Sequence, residues 1–290
     1  MGNKVLYVGP VRERSGWGEA ARNYVLALDS VGVDVTLRPI IFQGNYKLEG
    51  RLAKLESKSS AGSSVCIQNI LPHMFEYNGT FKKNIGLFLT ESLGIKHTSW
   101  PARINMMDEC WVVNQEMLED IQPEVRSTLY KIPLCFNITK YDRKKPLDIS
   151  ECQNNFTFYS ISEFNHRKNI LGLLKAFHTE FHKSENVSLV LKVNKPGIPP
   201  ETLGSEVDKL ATTVKQTLGL YKSLNDYHKE VVIPFELSEE DIGRLHSSCN
   251  CFVCPSFGEG WCIPAFEAQA YGNWVVSNRT GGPSEFINHG

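Results

Sequence analysis

The sequence predicts an α/β protein built from two Rossmann-like, doubly wound domains, each with a parallel sheet. Strand-like and helix-like segments alternate along the 290 residues, and the strand-like runs are continuous and β-branched, as in sheets covered on both faces. The alternation is interrupted once, by a polar and charged stretch at 141–154 that is typical of a linker. We therefore expect domains at 1–140 and 155–290, with ligands bound in a cleft that the carboxyl ends of the strands face.

The first domain opens with the strand KVLYVG at 4–9. A loop containing Gly16 and Gly18 follows, and a helix is predicted from about Glu19 because apolar residues recur there at helical spacing. A loop glycine permits close approach of a ligand, but a simple turn explains this pair about as well. Further strands are predicted at DVTLRPI, SVCIQNI, NIGLFLT, CWVVN and TLYKIP.

Two polar residues of this domain, His73 and Glu91, each follow a predicted strand. Both would face the predicted cleft and would contact a ligand bound there. A lone histidine is more often structural than catalytic, so the prediction is weaker for His73.

The second domain is predicted to begin with a strand at 156–162 and a helix from Asn169. A strand at 187–194, a helix to about residue 220 and a strand at 230–235 follow. Ser238 with Asp241 three positions on resembles a capping box and predicts another helix start. The segments CNCFVCPS and NWVVSN complete the predicted strands.

Composition excludes several classes of function. The net charge of −1 provides no general attraction for nucleic acid or anionic lipid, so neither is expected as a partner. No apolar window is long enough for a membrane span, and the start of the chain does not resemble a signal peptide, which predicts a cytoplasmic protein. Cys249, Cys251 and Cys254 lack a second metal-ligand pair nearby, so a buried strand in a reducing compartment is favoured over a zinc site.

The stretch SFGEGWCIPAFE at 256–267 carries two carboxylates, Glu259 in a loop and Glu267 on a helix. Pro264 suits the first helical position and Gly272 suits the end, so Glu267 is predicted near the first turn. A helix amino terminus binds phosphate, whereas carboxylates accept from sugar hydroxyls. The combination fits a nucleotide-sugar, although the helix dipole alone also favours a glutamate there.

This stretch resembles the E-x7-E motif of retaining glycosyltransferases of the GT-B fold, specifically glycosyltransferase family 4 (group 1). The resemblance runs from SSCNCFVCPS through EGWCIPAFEAQAYGNWVV to SNRTGGPSEFI, and it includes FTFYSISEFNHRKNILGLLKAF and SGWGEAARNYVLAL. It implies a hexosyltransferase with an N-terminal acceptor-side domain and a C-terminal nucleotide-sugar-binding domain. Family members usually continue beyond the equivalent of SEFINHG, so the second domain is expected to be incomplete at its C-terminus.

The resemblance also implies roles for the residues of the motif. Glu267 would hold the ribose hydroxyls of the donor, and Glu259 would contact the transferred sugar. Backbone amides around Trp261, Cys262 and Ile263 would hold the sugar and the phosphates.

The basic pair in HRKN, Arg167 and Lys168, is assigned by the same resemblance to the donor phosphates, and with Glu259 it forms the predicted catalytic set. The sequence departs from the family by lacking the additional upstream arginine; ISEF with Glu163 stands there instead. The loop with Gly16 and Gly18 would approach the donor from the opposite wall. Fixed cations can stabilise a leaving diphosphate, and no Asp-x-Asp triplet is present, so we expect neither a metal nor any cofactor besides the nucleotide-sugar substrate.

Two alternatives keep the fold and change the function. One is a nucleotide-sugar-binding module without transfer activity, and the other is a GT-B-type nucleotide-sugar epimerase, against which the E-x7-E stretch argues. The acceptor, whether saccharide, lipid-linked or protein, is left open by the sequence, as are the donor base and sugar.

Overall fold

The computed structural model describes residues 4–288 except positions 43 and 45. The chain divides into two compact units. The first unit consists of Met1–Asn137 together with Glu259–Trp261, and the second consists of Ile138–Gly258 together with Cys262–Gly290.

The first unit contains a six-stranded sheet in the order β2-β1-β3-β4-β5-β6, with every neighbouring pair parallel. Every strand predicted for the first domain is found. The strands are β1 (Lys4–Gly9), β2 (Asp34–Pro39), β3 (Val65–Asn69), β4 (Lys83–Phe88), β5 (Glu109–Val112) and β6 (Leu129–Lys131).

The helices of the first unit are α1 (Gly16–Ser30), α2 (Gly50–Ser57), α3 (Trp100–Ile104) and α4 (Gln115–Ile121). The predicted start of α1 near Glu19 is wrong, because the hydroxyl of Ser15 accepts from the Gly18 amide and starts the helix at Gly16. Gly16 and Gly18 therefore lie in the first helical turn and not in a loop.

The second unit contains a five-stranded sheet in the order β11-β10-β7-β8-β9, again parallel throughout. This order places β10 between β11 and β7, so the carboxyl ends of these three strands are adjacent. The strands are β7 (Phe156–Glu163), β8 (Val187–Asn194), β9 (Val231–Ile233), β10 (Cys251–Cys254) and β11 (Trp274–Ser277).

The helices of the second unit are α5 (Ile170–Glu180), α6 (Pro200–Leu218), α7 (Glu239–Ser248) and α8 (Ile263–Ala270). The predicted cap of α7 is confirmed, since the Ser238 hydroxyl accepts from the Asp241 amide at 3.1 Å. Helix α6 ends at Gly219 in the left-handed region, as the sequence favours for a helix terminus.

Apolar side chains cover both faces of the second sheet. Leu174 and Phe177 of α5 pack with Leu191 of β8 on one face, together with α6. Leu245 of α7 packs with Phe252 of β10 on the other face, together with α8. These two layers fix the helices α7 and α8 on the same side of the sheet.

The predicted linker segment at 141–154 hydrogen-bonds to α7. The Lys144 amide donates to the Ser247 hydroxyl at 2.9 Å, and the Leu147 amide donates to the Ser248 hydroxyl at 2.7 Å. In the part of the chain that the structure describes, no helix combines the length and the apolar character that crossing a bilayer requires.

Candidate functional site

The loops that follow β7 and β10 are joined by three hydrogen bonds. The Phe257 amide donates to the Arg167 carbonyl at 2.8 Å, and Nη1 of Arg167 donates to the Gly258 carbonyl at 2.7 Å. Nδ2 of Asn169 donates to the Pro255 carbonyl at 3.1 Å. The segment that bears the predicted cations is thus fixed to the segment that leads into the predicted acidic motif.

A third loop, which follows β11, is hydrogen-bonded to the same segment after β10. Nδ2 of Asn278 donates to the Ser256 carbonyl at 2.5 Å and to the Pro255 carbonyl at 3.3 Å. The carboxyl ends of three neighbouring strands therefore meet in one hydrogen-bonded assembly, which we call the three-loop junction. Open α/β sheets bind their ligands at such an edge.

The predicted cations occupy a short 3-10 turn, His166–Lys168, that precedes α5. Asn165 caps this turn by accepting from the Lys168 amide at 3.1 Å, and Asn169 then adopts the left-handed conformation with φ 52°. Arg167 and Lys168 are both partly buried. The helix was predicted from Asn169 and begins at Ile170, so both cations lie just ahead of it, after β7.

Helix α8 begins after a residue in an unusual conformation. Cys262 is buried with φ 66° and ψ 69°, in the left-handed region that non-glycine residues rarely adopt. Such a residue costs about 1–3 kcal/mol and persists where the surroundings enforce it, commonly at functional sites. The strained turn starts the helix at Ile263, one residue ahead of the predicted start at Pro264.

Glu267 lies on α8 with a side chain that is 14% exposed. Its Oε2 lies 3.6 Å from Nε2 of His246, a fully buried histidine of α7. Among the described residues no hydrogen bond reaches either oxygen of Glu267. The carboxylate is thus nearly enclosed and keeps its capacity to accept from a ligand.

The structure counts Glu259 and Trp261 with the first unit, whereas Cys262, Ile263 and Glu267 belong to the second. Within the first unit, Nδ2 of Asn114 donates to the Gly260 carbonyl at 2.8 Å. Glu259 is buried, and the ring of Trp261 stacks on Phe136 with centroids 6.3 Å apart.

A family model described as "Glycosyl transferases group 1" matches residues 143–290, about half of the chain. The chain belongs to this family. The match covers the three-loop junction, α7 and α8, so the residues assembled above are those of a glycosyltransferase domain. No curated protein matched the sequence in a separate comparison.

Solved structures show the fold over nearly the full length of this chain. Anabaena HepE in complex with UDP and glucose is 17% identical over 99% of this chain and 84% of its own, with a TM-score of 0.63. Sucrose-phosphate synthase of Thermosynechococcus elongatus is 16% identical over 98% and 83%, with a TM-score of 0.64. The N-terminal domain of Candida albicans trehalose-6-phosphate phosphatase is 10% identical over 98% and 84%, with a TM-score of 0.62. The predicted fold, two Rossmann-like parallel-sheet domains of the GT-B type, is confirmed.

The glycine pair of this glycosyltransferase has a packing explanation in the first unit. Gly18 is buried, and a Cβ there would lie 2.1 Å from the Glu13 carbonyl oxygen, so only glycine fits. Gly16 is exposed. The nearby Arg22 donates to the carbonyls of Val11 at 3.0 Å and Glu13 at 2.9 Å, which makes it a support of the loop.

The two remaining predicted contacts of the first unit are exposed. His73 lies in a 3-10 turn, Pro72–Met74, after β3, and Glu91 lies in the turn after β4. Because β3 and β4 are neighbours, the two residues follow adjacent strands at the same edge of the sheet.

The cysteine cluster forms the buried strand that was predicted. Cys251 and Cys254 lie on β10, Cys249 lies just before it, and all three are buried. Burial raises the pKa of the Cys251 thiol to about 11, so this thiol is neutral and unreactive near pH 7.

Sequence reasoning missed the polar residues behind Glu267, namely His246, Tyr159 and Asn273. Ile242, Leu245 and His246 follow helical spacing, so the sequence could have indicated a histidine on the apolar face of α7. No sequence pattern connects that histidine to the acidic motif, because the two lie on different helices.

Proposed function

We propose that this glycosyltransferase is a retaining enzyme of family 4 that moves a hexose from a nucleoside-diphosphate-sugar to an acceptor hydroxyl. The observation that carries the proposal is the three-loop junction. It fixes the basic turn of Arg167 and Lys168 against the segment leading to α8, and α8 bears the nearly enclosed carboxylate of Glu267. A ligand with a diphosphate and a ribose matches this combination of cations, amides and acid.

Each donor group is assigned to a part of the site. In the proposal, Glu267 accepts from the ribose hydroxyls, while the amides at Cys262 and Ile263 and the ammonium of Lys168 receive the diphosphate. Negative charge develops on that diphosphate as the glycosidic bond breaks, and fixed donors stabilise it without reorganisation. Arg167 holds the Gly258 carbonyl through Nη1, so its first role is to fix the loop; its positive charge is proposed to assist at the phosphates.

The remaining predicted residues are assigned to the sugar and the acceptor. Glu259 is proposed to contact the transferred sugar, with help from the main chain around Trp261. Gly16 and Gly18 are proposed to let the start of α1 approach the donor, and His73 and Glu91 to contact donor or acceptor sugar. We propose that no metal is required, because Lys168 and Arg167 supply the positive charge and the sequence has no Asp-x-Asp triplet.

Retention of configuration is proposed to follow from displacement on one face of the sugar. The bond between the anomeric carbon and the diphosphate oxygen breaks, and the acceptor oxygen bonds to the same face. The departing diphosphate takes the acceptor proton. A cytoplasmic location is part of the proposal; burial of the thiols of Cys249 and Cys251 in the core, as in a reducing compartment, supports it.

UDP is the first nucleotide to test, because UDP and glucose are bound in the HepE structure and UDP-glucose in a second structure of HepE. Calorimetry with UDP, GDP and ADP should show one of them binding to the wild-type protein. Glu267→Ala should weaken that binding about 10- to 100-fold, because hydrogen bonds to a charged group contribute about 1.5–3 kcal/mol. Glu240→Ala, which removes an exposed glutamate of α7, is the matched control and should bind normally.

Unchanged affinity in Glu267→Ala would refute the ribose assignment, and failure of all three nucleotides to bind would refute the donor class.

Measuring turnover separates an enzyme from a binding module. Lys168→Ala should lower the transfer rate more than it lowers affinity for the intact nucleotide-sugar donor, since the diphosphate gains negative charge as the bond breaks. Binding without release of nucleoside diphosphate from any donor sugar would favour the module.

A further inference from the structure

We propose that His246 is a positioning residue whose Nε2–H group orients the carboxylate of Glu267 toward the ribose of the donor. This inference rests on the proposed function, because it assigns a purpose to a group that acts only through Glu267. His246 touches neither substrate nor reacting atoms in the proposal.

The position of the imidazole is the first observation. The side chain of His246 is 0% exposed, and its Nε2 lies 3.6 Å from Oε2 of Glu267. Among the described residues this nitrogen has no hydrogen-bond partner, although a buried polar atom without one costs about 1–3 kcal/mol. Among the residues that the structure describes, Glu267 is the one acidic group paired with this nitrogen within 4 Å. A buried ring nitrogen therefore lies beside the proposed ribose acceptor.

The hydrogen bonds on the other side of the ring decide where its proton lies. Nδ2 of Asn273 donates to the Tyr159 hydroxyl at 2.8 Å and to the His246 carbonyl at 2.7 Å. The Tyr159 hydroxyl lies 2.7 Å from Nδ1 of His246. Because Asn273 already donates to the phenol oxygen, the phenol's own hydrogen is directed to Nδ1. Burial raises the pKa of Tyr159, so the phenol remains a donor. A neutral imidazole that accepts at Nδ1 carries its hydrogen on Nε2, facing Glu267.

Aromatic packing fixes the plane of this imidazole. The ring of Tyr271 stacks on it with centroids 5.2 Å apart and an interplanar angle of 8°. Tyr159 is in turn held edge-to-face against Phe252, with centroids 5.2 Å apart. Since Tyr271 directly follows α8, the stack connects the histidine of α7 to the helix that bears Glu267.

A neutral donor suits this task better than a cation. A lysine or arginine at this position would neutralise Glu267 and compete with the ribose hydroxyls for its oxygens. One N–H group directed at Oε2 restricts the rotation of the carboxylate and leaves its other acceptor sites for the ligand.

The test compares two variants, each of which keeps one of the two hydrogen-bonding functions of the imidazole. His246→Asn keeps an acceptor near the position of Nδ1 and removes the donor toward Glu267. His246→Gln keeps a donor near the position of Nε2. The readout is the ratio of affinities for the nucleoside diphosphate that binds the wild type (UDP, GDP or ADP) and for its 2′-deoxy form, measured by calorimetry.

The wild type should prefer the ribonucleotide by about 10-fold or more, as expected for a hydrogen bond to a carboxylate. The ratio should fall toward one in Glu267→Ala and in His246→Asn, and it should remain near the wild-type ratio in His246→Gln. General damage to the fold would weaken both nucleotides equally and leave the ratio unchanged.

The outcomes separate this inference from the proposed function. If Glu267→Ala loses the preference and His246→Asn keeps it, the role of His246 is refuted while the donor site stands. If the wild type shows no preference, the ribose assignment of Glu267 fails and the inference fails with it. Should His246→Asn not fold, Tyr159→Phe replaces it; removing the hydroxyl that sets the imidazole proton should lower the ratio, and an unchanged ratio would refute the inference.

Discussion

Two histidine–glutamate pairs occur among the described residues of the second unit, and they differ in how many hydrogen bonds the carboxylate accepts. In the first pair, Oε1 of Glu230 bonds to Nε2 of His178, and Oε2 bonds to Nζ of Lys215 at 2.9 Å. In the second pair, Glu267 has only His246 at 3.6 Å among the residues that the structure describes. We call them the closed pair and the open pair.

The location of each pair agrees with this difference. Glu230 directly precedes β9, at the amino end of a strand and away from the edge where α/β sheets bind ligands. Glu267 lies on the helix that follows the carboxyl end of β10. A buried acid whose oxygens are both occupied serves the fold, whereas a nearly enclosed acid with acceptor capacity left is suited to a ligand. Because each pair contains a buried histidine, the presence of a histidine does not by itself distinguish a structural acid from one suited to a ligand.

The largest effect is expected from breaking the closed pair. Glu230→Ala leaves the largely buried ammonium of Lys215 and the buried imidazole of His178 without their acid, and removing one partner of a buried ion pair destabilises a protein by up to about 3–5 kcal/mol. Urea unfolding followed by circular dichroism measures the loss. Glu240→Ala, at an exposed position of α7, should stay within about 0.5 kcal/mol of wild type. A loss below about 1 kcal/mol in Glu230→Ala would mean that the closed pair does not support the fold.

The second-largest effect is expected from lowering the pH, which should weaken the closed pair. Burial by itself would raise the pKa of Glu230, but the hydrogen bonds from His178 and Lys215 outweigh it and hold this pKa below its ordinary value of 4.5. A lowered pKa in the folded state stabilises the protein above the unfolded-state pKa, and this contribution is lost as the pH falls through the folded-state pKa. Stability should therefore decline below about pH 4.5, and the decline should be shallower in Glu230→Gln. Parallel curves for the two proteins would contradict this.

The smallest effect on stability is expected for the open pair. Glu267→Ala should change the unfolding free energy by less than about 1 kcal/mol, because the single contact it removes is long. The contrast should appear when nucleotide is added. At a ligand concentration of about 100 times its Kd, the wild type should gain about 2.7 kcal/mol, and a variant that binds 10- to 100-fold more weakly should gain only about 0.4–1.4 kcal/mol. Equal gains would show that Glu267 does not contribute to nucleotide binding.

Regular elements with strong local signals were predicted well. The continuous β-branched runs of β7 and β8 and the Ser238 cap of α7 were confirmed because each depends on neighbouring residues alone. The start of α1 was misplaced because the cap at Ser15 overrode the low helix propensity of Gly16 and Gly18. The short helices α2, α3 and α4 were not predicted, since a few turns stabilised mainly by packing leave little periodicity to detect.

In the candidate site, too, local features could be predicted and contacts between distant segments could not. Its acid, Glu267, and its cations, Arg167 and Lys168, could be predicted because they stand in short local motifs beside strand ends. The junction that holds those motifs together was not, because Asn278 and Pro255 are far apart in sequence and meet only when β10 and β11 pair.

The sequence by itself determined the two series of parallel strands, the helix that follows β10 and the acid on that helix, because hydrophobic period, proline placement and loop glycines act over a few residues. Only the tertiary structure decided that both oxygens of Glu230 accept hydrogen bonds, whereas the carboxylate of Glu267 keeps its capacity to accept from a ligand. Strand order brings His246 behind Glu267 and Lys215 beside Glu230, and the acceptor capacity of a buried acid depends on neighbours that chain folding supplies.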